Sequence, residues 1–226
     1  MKLKINGISN EIYFNNENIT ILEIKDTKCY SHIIEVINNA INGEETNEIF
    51  LVDDENNEMN ISKEMYMLID LFNIDFNSKK ILNKLYDKIA ENIDKMEDIE
   101  FKNMLVNLRN YIIQEVNELP FEFIMEDKPE SVDILKLYNL KIDNLNYKSI
   151  LERVEFLIDI LATLKISNIL VIPNLKIYLS EEELVELYKY SLYNEIKLFL
   201  IEKETKEKIK YEKILLIDEN FDDVVI

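Results

Sequence analysis

The sequence predicts an α/β protein whose chain is interrupted by a helical domain. Short alternating apolar runs precede residue 27, apolar residues then recur three and four apart between residues 61 and 149, and a β-α-β series follows residue 167. These three observations divide the chain into a discontinuous α/β domain, residues 1–60 and 150–226, and an inserted α-helical domain, residues 61–149.

The first 60 residues alternate between strand-like and helix-like patterns. The runs LKINGI, EIYF and ITILEIKD within residues 1–26 predict strands of a small sheet. CYSHIIEVINNAI, residues 29–41, predicts a helix that stops at Gly43. NEIFLVDDENNEMN, residues 47–60, predicts a strand followed by an Asx-rich turn.

From Ile61 onward the apolar period becomes helical. SKEMYMLIDLF (62–72) and NSKKILNKLYDKIAENI (77–93) carry this period, and Asn77 or Ser78 can cap the second stretch. A further helix, FKNMLVNLRNYIIQEVNEL, ends near Pro120, so two long helices joined by a short turn predict an antiparallel hairpin. The expected apolar faces are Leu82, Leu85, Ile89 and Ile93 on one helix, and Phe101, Leu105, Leu108, Ile112 and Val116 on the other.

The last third of the chain has the clearest local signals. YKSILERVEFLIDILATLK (147–165) is amphipathic, and NILVIPN (168–174) is apolar and β-branched enough to be a strand covered on both faces. Ser180 and Glu183 form a capping box that starts the next helix. IKLFLIEK (196–203) and YEKILLIDENF (211–221) then predict two more strands.

A strand, a loop and a capped helix resemble the layout of nucleotide-binding domains, but the glycines for phosphate binding are missing. A phosphate-cradling loop needs glycine so that backbone N–H groups can converge on the anion, and the chain has only Gly7 and Gly43. Neither lies in a GxxxxGK[ST] or GxGxxG pattern, and three consecutive glutamates follow Ser180. We therefore expect a degenerate P-loop NTPase-like sheet that binds no nucleotide.

Composition excludes several other classes of function. A single cysteine, Cys29, and a single histidine, His32, rule out an internal disulfide, a cysteine-based zinc site and histidine-rich metal chemistry. A Cys29/His32 nucleophile pair is conceivable three residues apart on a helix, but two packing residues are the favoured interpretation. Without a long apolar run or a signal-peptide pattern at the start, we expect a cytoplasmic protein.

Three segments in order resemble one protein family. LIDLFNIDFNSKKILNKLY (68–86), NILVIPNLKIYLSEEELVELYKYSLYNEIKLFLIEK (168–203) and LLIDENF (215–221) are similar to segments of the type II-A CRISPR-associated spacer-acquisition protein family. The resemblance covers roughly residues 65 to 221. The matching positions include Asp70, Asp75, Asn77, Ser78, Leu82, Leu85, Asp218, Glu219 and Phe221.

This resemblance implies an α/β head domain with a nucleotide-binding-like sheet and an α-helical leg domain inserted in it. It also implies a ring-shaped homotetramer, without catalytic activity, whose central channel binds ends of double-stranded DNA in a calcium-dependent way. The implied role is the acquisition of new spacers in antiviral defence, alongside the adaptation integrase and the RNA-guided nuclease.

A local excess of lysine makes DNA binding compatible with a net charge of −19. Residues 79–95 contain five lysines and three acids, and Lys80, Lys84 and Lys88 are spaced by four, which places them on one helix face. Taken alone, these lysines could simply form an ordinary solvated helix face. Because the resemblance implies a DNA channel, we favour the interpretation that they line it and contact phosphates without reading the base sequence. The candidate DNA-binding residues are Lys79, Lys80, Lys84, Lys88 and Lys95.

In contrast to the lysine-rich residues 79–95, residues 115–133 are strongly acidic, with seven acids and a single base. Calcium takes six to eight hard oxygen ligands, which a carboxylate-rich turn can supply, although no EF-hand pattern is present and a solvated acidic turn is the alternative. The resemblance implies calcium where leg meets head. The candidate ligands of Ca²⁺ are Glu118, Glu122, Glu126, Asp127 and Glu130.

Two other functions remain open from the sequence. An acidic scaffold that binds proteins but not DNA could use the tyrosines of YKYSLY, namely Tyr188, Tyr190 and Tyr193, although their helical spacing favours core or subunit contacts. A nuclease could use the acidic cluster with a divalent metal.

Overall fold

The computed structural model describes residues 1–95, 99–125, 130–143, 147–204, 207–220 and 222–226. The chain forms two compact units: Met1–Phe76 together with Asn144–Ile226, called here the α/β unit, and Asn77–Asp143, called the helical unit. The helical unit thus begins at Asn77, whereas the sequence patterns placed the start of the inserted domain at residue 61.

The α/β unit contains two sheets and five helical segments. Its strands are β1 (Lys2–Ile5), β2 (Ile12–Tyr13), β3 (Ile19–Ile24), β4 (Ile49–Val52), β5 (Glu58–Met59), β6 (Met65–Met67), β7 (Ile169–Pro173), β8 (Lys197–Glu202), β9 (Glu212–Ile217) and β10 (Asp223–Val225). Its helices are α1 (Thr27–Ile41), α2 (Ile61–Glu64), α6 (Ile150–Leu164) and α7 (Glu181–Tyr193), with a 3-10 helix at Leu175–Ile177. In the helical unit lie α3 (Lys79–Lys95), α4 (Ile99–Asn117) and α5 (Ser131–Leu137).

The larger sheet has the strand order β10-β9-β3-β8-β7-β6, parallel except for β10. All six residues of β3 are buried. Leu22 and Ile201 belong to a cluster that also includes Ile33 and Ile37 of α1, so α1 covers one face of the sheet. Because side chains alternate along a strand, Ile21 points to the opposite face, where it is also fully buried. This arrangement confirms the predicted α/β class and the burial of NILVIPN as β7.

Two sequence predictions of local structure were wrong. ITILEIKD was grouped with the strands of the small sheet, but it forms β3 in the large sheet; the small antiparallel sheet is β2-β1-β4-β5. SKEMYMLIDLF was assigned a helical period, but Met65–Met67 forms β6, which pairs in parallel with β7 through Met65↔Ile169 and Met67↔Val171. For SKEMYMLIDLF, long-range pairing overrode the local pattern; for ITILEIKD, the local pattern indicated a strand correctly, and long-range pairing decided which sheet it joins.

In the helical unit, α3 packs against α5. On α3, the residues of the predicted apolar face are only half-buried, namely Leu82, Leu85, Ile89 and Ile93. The buried residues of this helix are Ile81, Tyr86 and Ala90. The Tyr86 hydroxyl donates to the Leu140 carbonyl oxygen at 2.8 Å, which explains how an aromatic residue outside the predicted face becomes buried.

The predicted apolar face of α4 is largely uncovered. None of its residues is buried, and Leu108 and Ile112 are exposed, contrary to the prediction, while Phe101, Leu105 and Val116 are half-buried. Although α4 is 19 residues long, no helix in the described ranges is both long and apolar enough to cross a membrane.

The capping box of α7 offers a test of local stability. The Ser180 hydroxyl accepts a hydrogen bond from the Glu183 backbone N–H at 3.3 Å, and the Glu183 carboxylate accepts from the Ser180 N–H at 2.8 Å. We expect Ser180→Ala to lower the free energy of unfolding by about 1 kcal/mol, measured by urea denaturation. Ser180→Asp restores a capping acceptor and serves as the control; equal losses in both variants would contradict a capping role.

Candidate functional site

The junction between β3 and α1 is where a nucleotide-binding sheet would hold phosphate. Ligands of open α/β sheets bind beyond the carboxyl ends of the strands. Here only Lys25 and Asp26 separate β3 from α1. The Asp26 carboxylate caps the helix by accepting from the Cys29 backbone N–H at 2.8 Å. A phosphate at this helix terminus would therefore meet a carboxylate instead of free N–H groups.

A buried network of charged side chains lies next to the sheet. Glu202 and Glu212 are 0% and 4% exposed, respectively. The Lys176 ammonium pairs with Glu212 at 2.8 Å, and its backbone N–H donates to the Glu202 carboxylate at 3.1 Å. Glu212 also accepts from the Tyr188 hydroxyl at 2.7 Å and from the Ile209 N–H at 2.8 Å. Lys176 thus connects the end of β8 with the start of β9.

Glu202 is the less satisfied of the two carboxylates. Its Oε2 atom has no hydrogen-bond partner among the described residues. Burial raises the pKa of Glu202 to about 7; the backbone N–H and positive charge of Lys176 oppose that rise, and nearby Glu212 adds to it. Burial also raises the pKa of Tyr188. The sequence analysis missed this network, although a signal existed: two glutamates end or begin otherwise apolar strands.

The pKa of Glu202 predicts a pH-dependent stability. A carboxyl whose pKa rises on folding stabilises the folded state below its unfolded pKa of about 4.5, and this contribution is lost as pH rises through about 7. We expect Glu202→Gln, which mimics the protonated form, to be more stable than the wild type at pH 8 by a few kcal/mol. The difference should vanish near pH 4.

Thermal unfolding at both pH values measures this effect. Glu204→Gln is the matched control, because Glu204 is exposed two residues further along the chain. If Glu202→Gln were less stable than the wild type at pH 8, the claim that the charged form of Glu202 destabilises the folded protein would be contradicted.

Cys29 and His32 line the same small cavity as Ile33 and Glu48. The His32 Nε2 atom lies 2.7 Å from the Glu48 carboxylate. Burial, followed by the charge of Asp26, raises the pKa of the Cys29 thiol. A nucleophilic cysteine requires a stabilised thiolate, so this environment favours the packing interpretation over a Cys/His pair.

The candidate DNA-binding lysines all lie on α3. Lys79, Lys84, Lys88 and Lys95 are exposed, whereas Lys80 is half-buried and burial lowers its pKa. Lys95 pairs with Glu91 at 3.4 Å. Lys80, Lys84 and Lys88 follow one another at successive turns and form what we call the lysine row.

The candidate calcium ligands are only partly described. Glu118, Glu122 and Glu130 are exposed, and Glu126 and Asp127 lie outside the described residues. Within the described ranges, no three or more His, Cys, Asp or Glu side chains are grouped so that they could hold a metal ion. Carboxylates suit Ca²⁺ chemically, but the three described candidates are not brought together as a site.

The tyrosines of YKYSLY have three different environments. Tyr188 is fully buried, Tyr190 is half-buried and donates to the Asp159 carboxylate at 2.7 Å, and Tyr193 is 86% exposed. Tyr188 therefore makes the expected core contacts, while the Tyr193 side chain lies at the surface.

The fold and these sites define an α/β protein with an inserted helical unit and an acidic cap at the helix terminus that follows β3. A sequence model of the CRISPR-associated protein (Cas_Csn2) family matches residues 42–221. The chain belongs to this family, which confirms the family predicted from its sequence motifs. The CRISPR-associated protein Csn2 of Enterococcus faecalis is 25% identical over 209 residues, covering 91% of this chain and 90% of that protein.

Two solved structures share a more distant likeness. An ATP-binding cassette in its ADP conformation and a nucleotide-free ATP-binding cassette, both from ABC transporters, match at TM-scores of 0.48 and 0.47. Each is 14% identical, and each comparison covers 99% of this chain and 90% of the other.

Proposed function

We propose that this protein is a non-catalytic, ring-forming protein of CRISPR adaptation that binds the ends of double-stranded DNA in a calcium-dependent manner. Its membership of a CRISPR-associated family supports the adaptation role, in which the adaptation integrase and the RNA-guided nuclease would be its partners. The lysine row is the observation that carries the DNA-binding part of the proposal.

The lysine row supports DNA binding through its two exposed members. Lys84 and Lys88 are exposed one turn apart, in a 17-residue helix that carries five lysines. Two neighbouring acids are engaged within the unit: Glu91 pairs with Lys95, and Asp94 accepts from the Ser131 hydroxyl of α5 at 2.8 Å. Five lysines against three acids give residues 79–95 a net positive charge, which suits phosphate contacts that carry affinity but no sequence information.

Exposed apolar side chains in the helical unit support self-association. Phe121, Phe123, Ile124 and Leu137 are 72%, 53%, 104% and 78% exposed, in addition to the uncovered side of α4. Soluble proteins rarely leave so many large apolar groups in water within one short stretch. A homotetrameric ring would bury them and would repeat the lysine row around a channel.

Calcium binding by the acidic segment completes the proposal. Glu118, Glu122, Glu126, Asp127 and Glu130 are the candidate ligands, and bound Ca²⁺ would supply positive charge among mutually repelling carboxylates.

A mobility-shift assay with linear and closed-circular duplexes of one sequence tests the proposal directly. We expect retention of the linear duplex in calcium, and no retention of the circle or of either duplex in chelator, because a ring must thread a free end. The absence of any retention would instead leave an acidic scaffold that binds proteins without DNA. Cleavage of the linear duplex in Mg²⁺ or Mn²⁺ would indicate a nuclease.

Neutralising the lysine row should weaken this retention. We expect Lys84→Gln with Lys88→Gln to lower affinity for linear duplex at least tenfold and to reduce the slope of log K against log salt by about 0.9 for each lost phosphate contact. Lys25→Gln with Lys28→Gln removes the same charge from exposed positions in the α/β unit. Equal effects of the two pairs would contradict a role specific to the lysine row.

The calcium ligands can be tested without DNA. Replacing Glu126 and Asp127 together by Ala should weaken calcium binding, measured by titration calorimetry, and calcium-dependent tetramer formation, measured by sedimentation. Glu44→Ala with Glu45→Ala is the matched control at exposed acidic positions. Unchanged calcium affinity in the first variant would exclude these two residues as ligands.

A further inference from the structure

Helices α6 and α7 of the α/β unit contact each other and border an open groove. Glu155 lies on the α6 side, and the α7 side presents one acidic or aromatic residue per turn. The residues from α7 that line the groove and enter the argument are Glu182, Glu186, Lys189, Tyr190 and Tyr193. None of them belongs to the lysine row or the candidate calcium ligands.

The groove holds carboxylates that repel one another. Glu155 is half-buried, and its pKa is raised first by burial and then by the charges of Glu186, Asp159 and Glu152. Among the described residues, no lysine or arginine forms an ion pair with Glu155, Glu182 or Glu186. Three glutamates against one lysine, Lys189, leave the lining of the groove with a net negative charge, and a cationic ligand would relieve the repulsion among the carboxylates.

Two tyrosines add an aromatic side to this acidic groove. The Tyr190 hydroxyl donates to the Asp159 carboxylate at 2.7 Å, which fixes the ring and, with burial, raises the pKa of Tyr190 to about 12. Tyr193, one turn further along α7, is 86% exposed. A guanidinium group can pair with a carboxylate and stack on an aromatic ring at the same time, which an ammonium does less well.

We propose that the α6–α7 groove binds an arginine-containing basic segment of a protein partner. The spacing of the carboxylates favours a polypeptide over a metal ion: in the described parts of the chain, no three acidic side chains converge closely enough to hold one ion. Acids spread along two helices instead match several cationic side chains of an extended or helical segment. This proposal goes beyond DNA binding and does not depend on it.

Fluorescence anisotropy with labelled nona-arginine, at about 150 mM salt to screen non-specific attraction, tests the groove without DNA. We expect Glu182→Gln with Glu186→Gln to weaken binding about fivefold or more. Glu44→Gln with Glu45→Gln removes the same charge at exposed positions outside the groove, so its effect should stay below about twofold. Equal losses would mean attraction to the acidic surface as a whole and would overturn the proposal.

Tyr193→Ala separates the aromatic contribution from charge. It should weaken binding of nona-arginine more than binding of nona-lysine, because guanidinium stacks better on the ring. Equal loss for both peptides would remove the arginine preference. Displacement of nona-arginine by millimolar Ca²⁺, but not by NaCl of equal ionic strength, would make the groove a metal site and overturn its assignment to a peptide.

Discussion

The pairing of β3 between β8 and β9 is the constraint on which the rest of the α/β unit depends. An early strand becomes the centre of a sheet whose other parallel strands come later in the chain, through registers such as Ile21↔Leu200 and Ile21↔Ile214. The chain before and after the helical unit also returns to neighbouring strands, because β6 pairs directly with β7. An insertion between two strands that are neighbours in the sheet leaves the sheet intact, which is how one core can include both ends of the sequence.

This sheet retains an architecture suited to ligand binding but carries different chemistry near its carboxyl ends. Asp26 occupies the helix terminus that would attract an anion, and Glu202, at the end of β8, is held by the backbone of Lys176. Both groups are acceptors, so they compete with phosphate instead of binding it. Because a fold does not by itself determine function, the surfaces built on this sheet have to be considered as well.

Local sequence signals predicted the features that a short stretch of sequence specifies by itself. Examples are the apolar run NILVIPN, the Ser180 capping box and the lysine row, which follows from a spacing of four on a helix. The pattern failed where distant pairing decides: Met65 and Leu68 have helical spacing, yet Met65 lies in β6 because β7, about 100 residues later, pairs with it. The uncovered side of α4 was also beyond reach, because an apolar period does not specify which element covers it. The Glu202 network left a signal in its two glutamates at strand ends, but only the pairing of β8 and β9 with β3 brings these strands into one sheet.

The distribution of charge makes the proposed DNA binding compatible with a net charge of −19. Exposed charges act over about 8 Å at physiological salt, so a DNA phosphate would respond to the lysine row locally and not to the total charge. Acidic surfaces elsewhere would repel DNA and restrict it to that row, which disfavours wrong contacts as well as favouring the right one. The lining of the α6–α7 groove is of the opposite sign, with three glutamates and one lysine. On the two proposals together, this strongly acidic chain would bind DNA on its helical unit and a basic protein segment on its α/β unit.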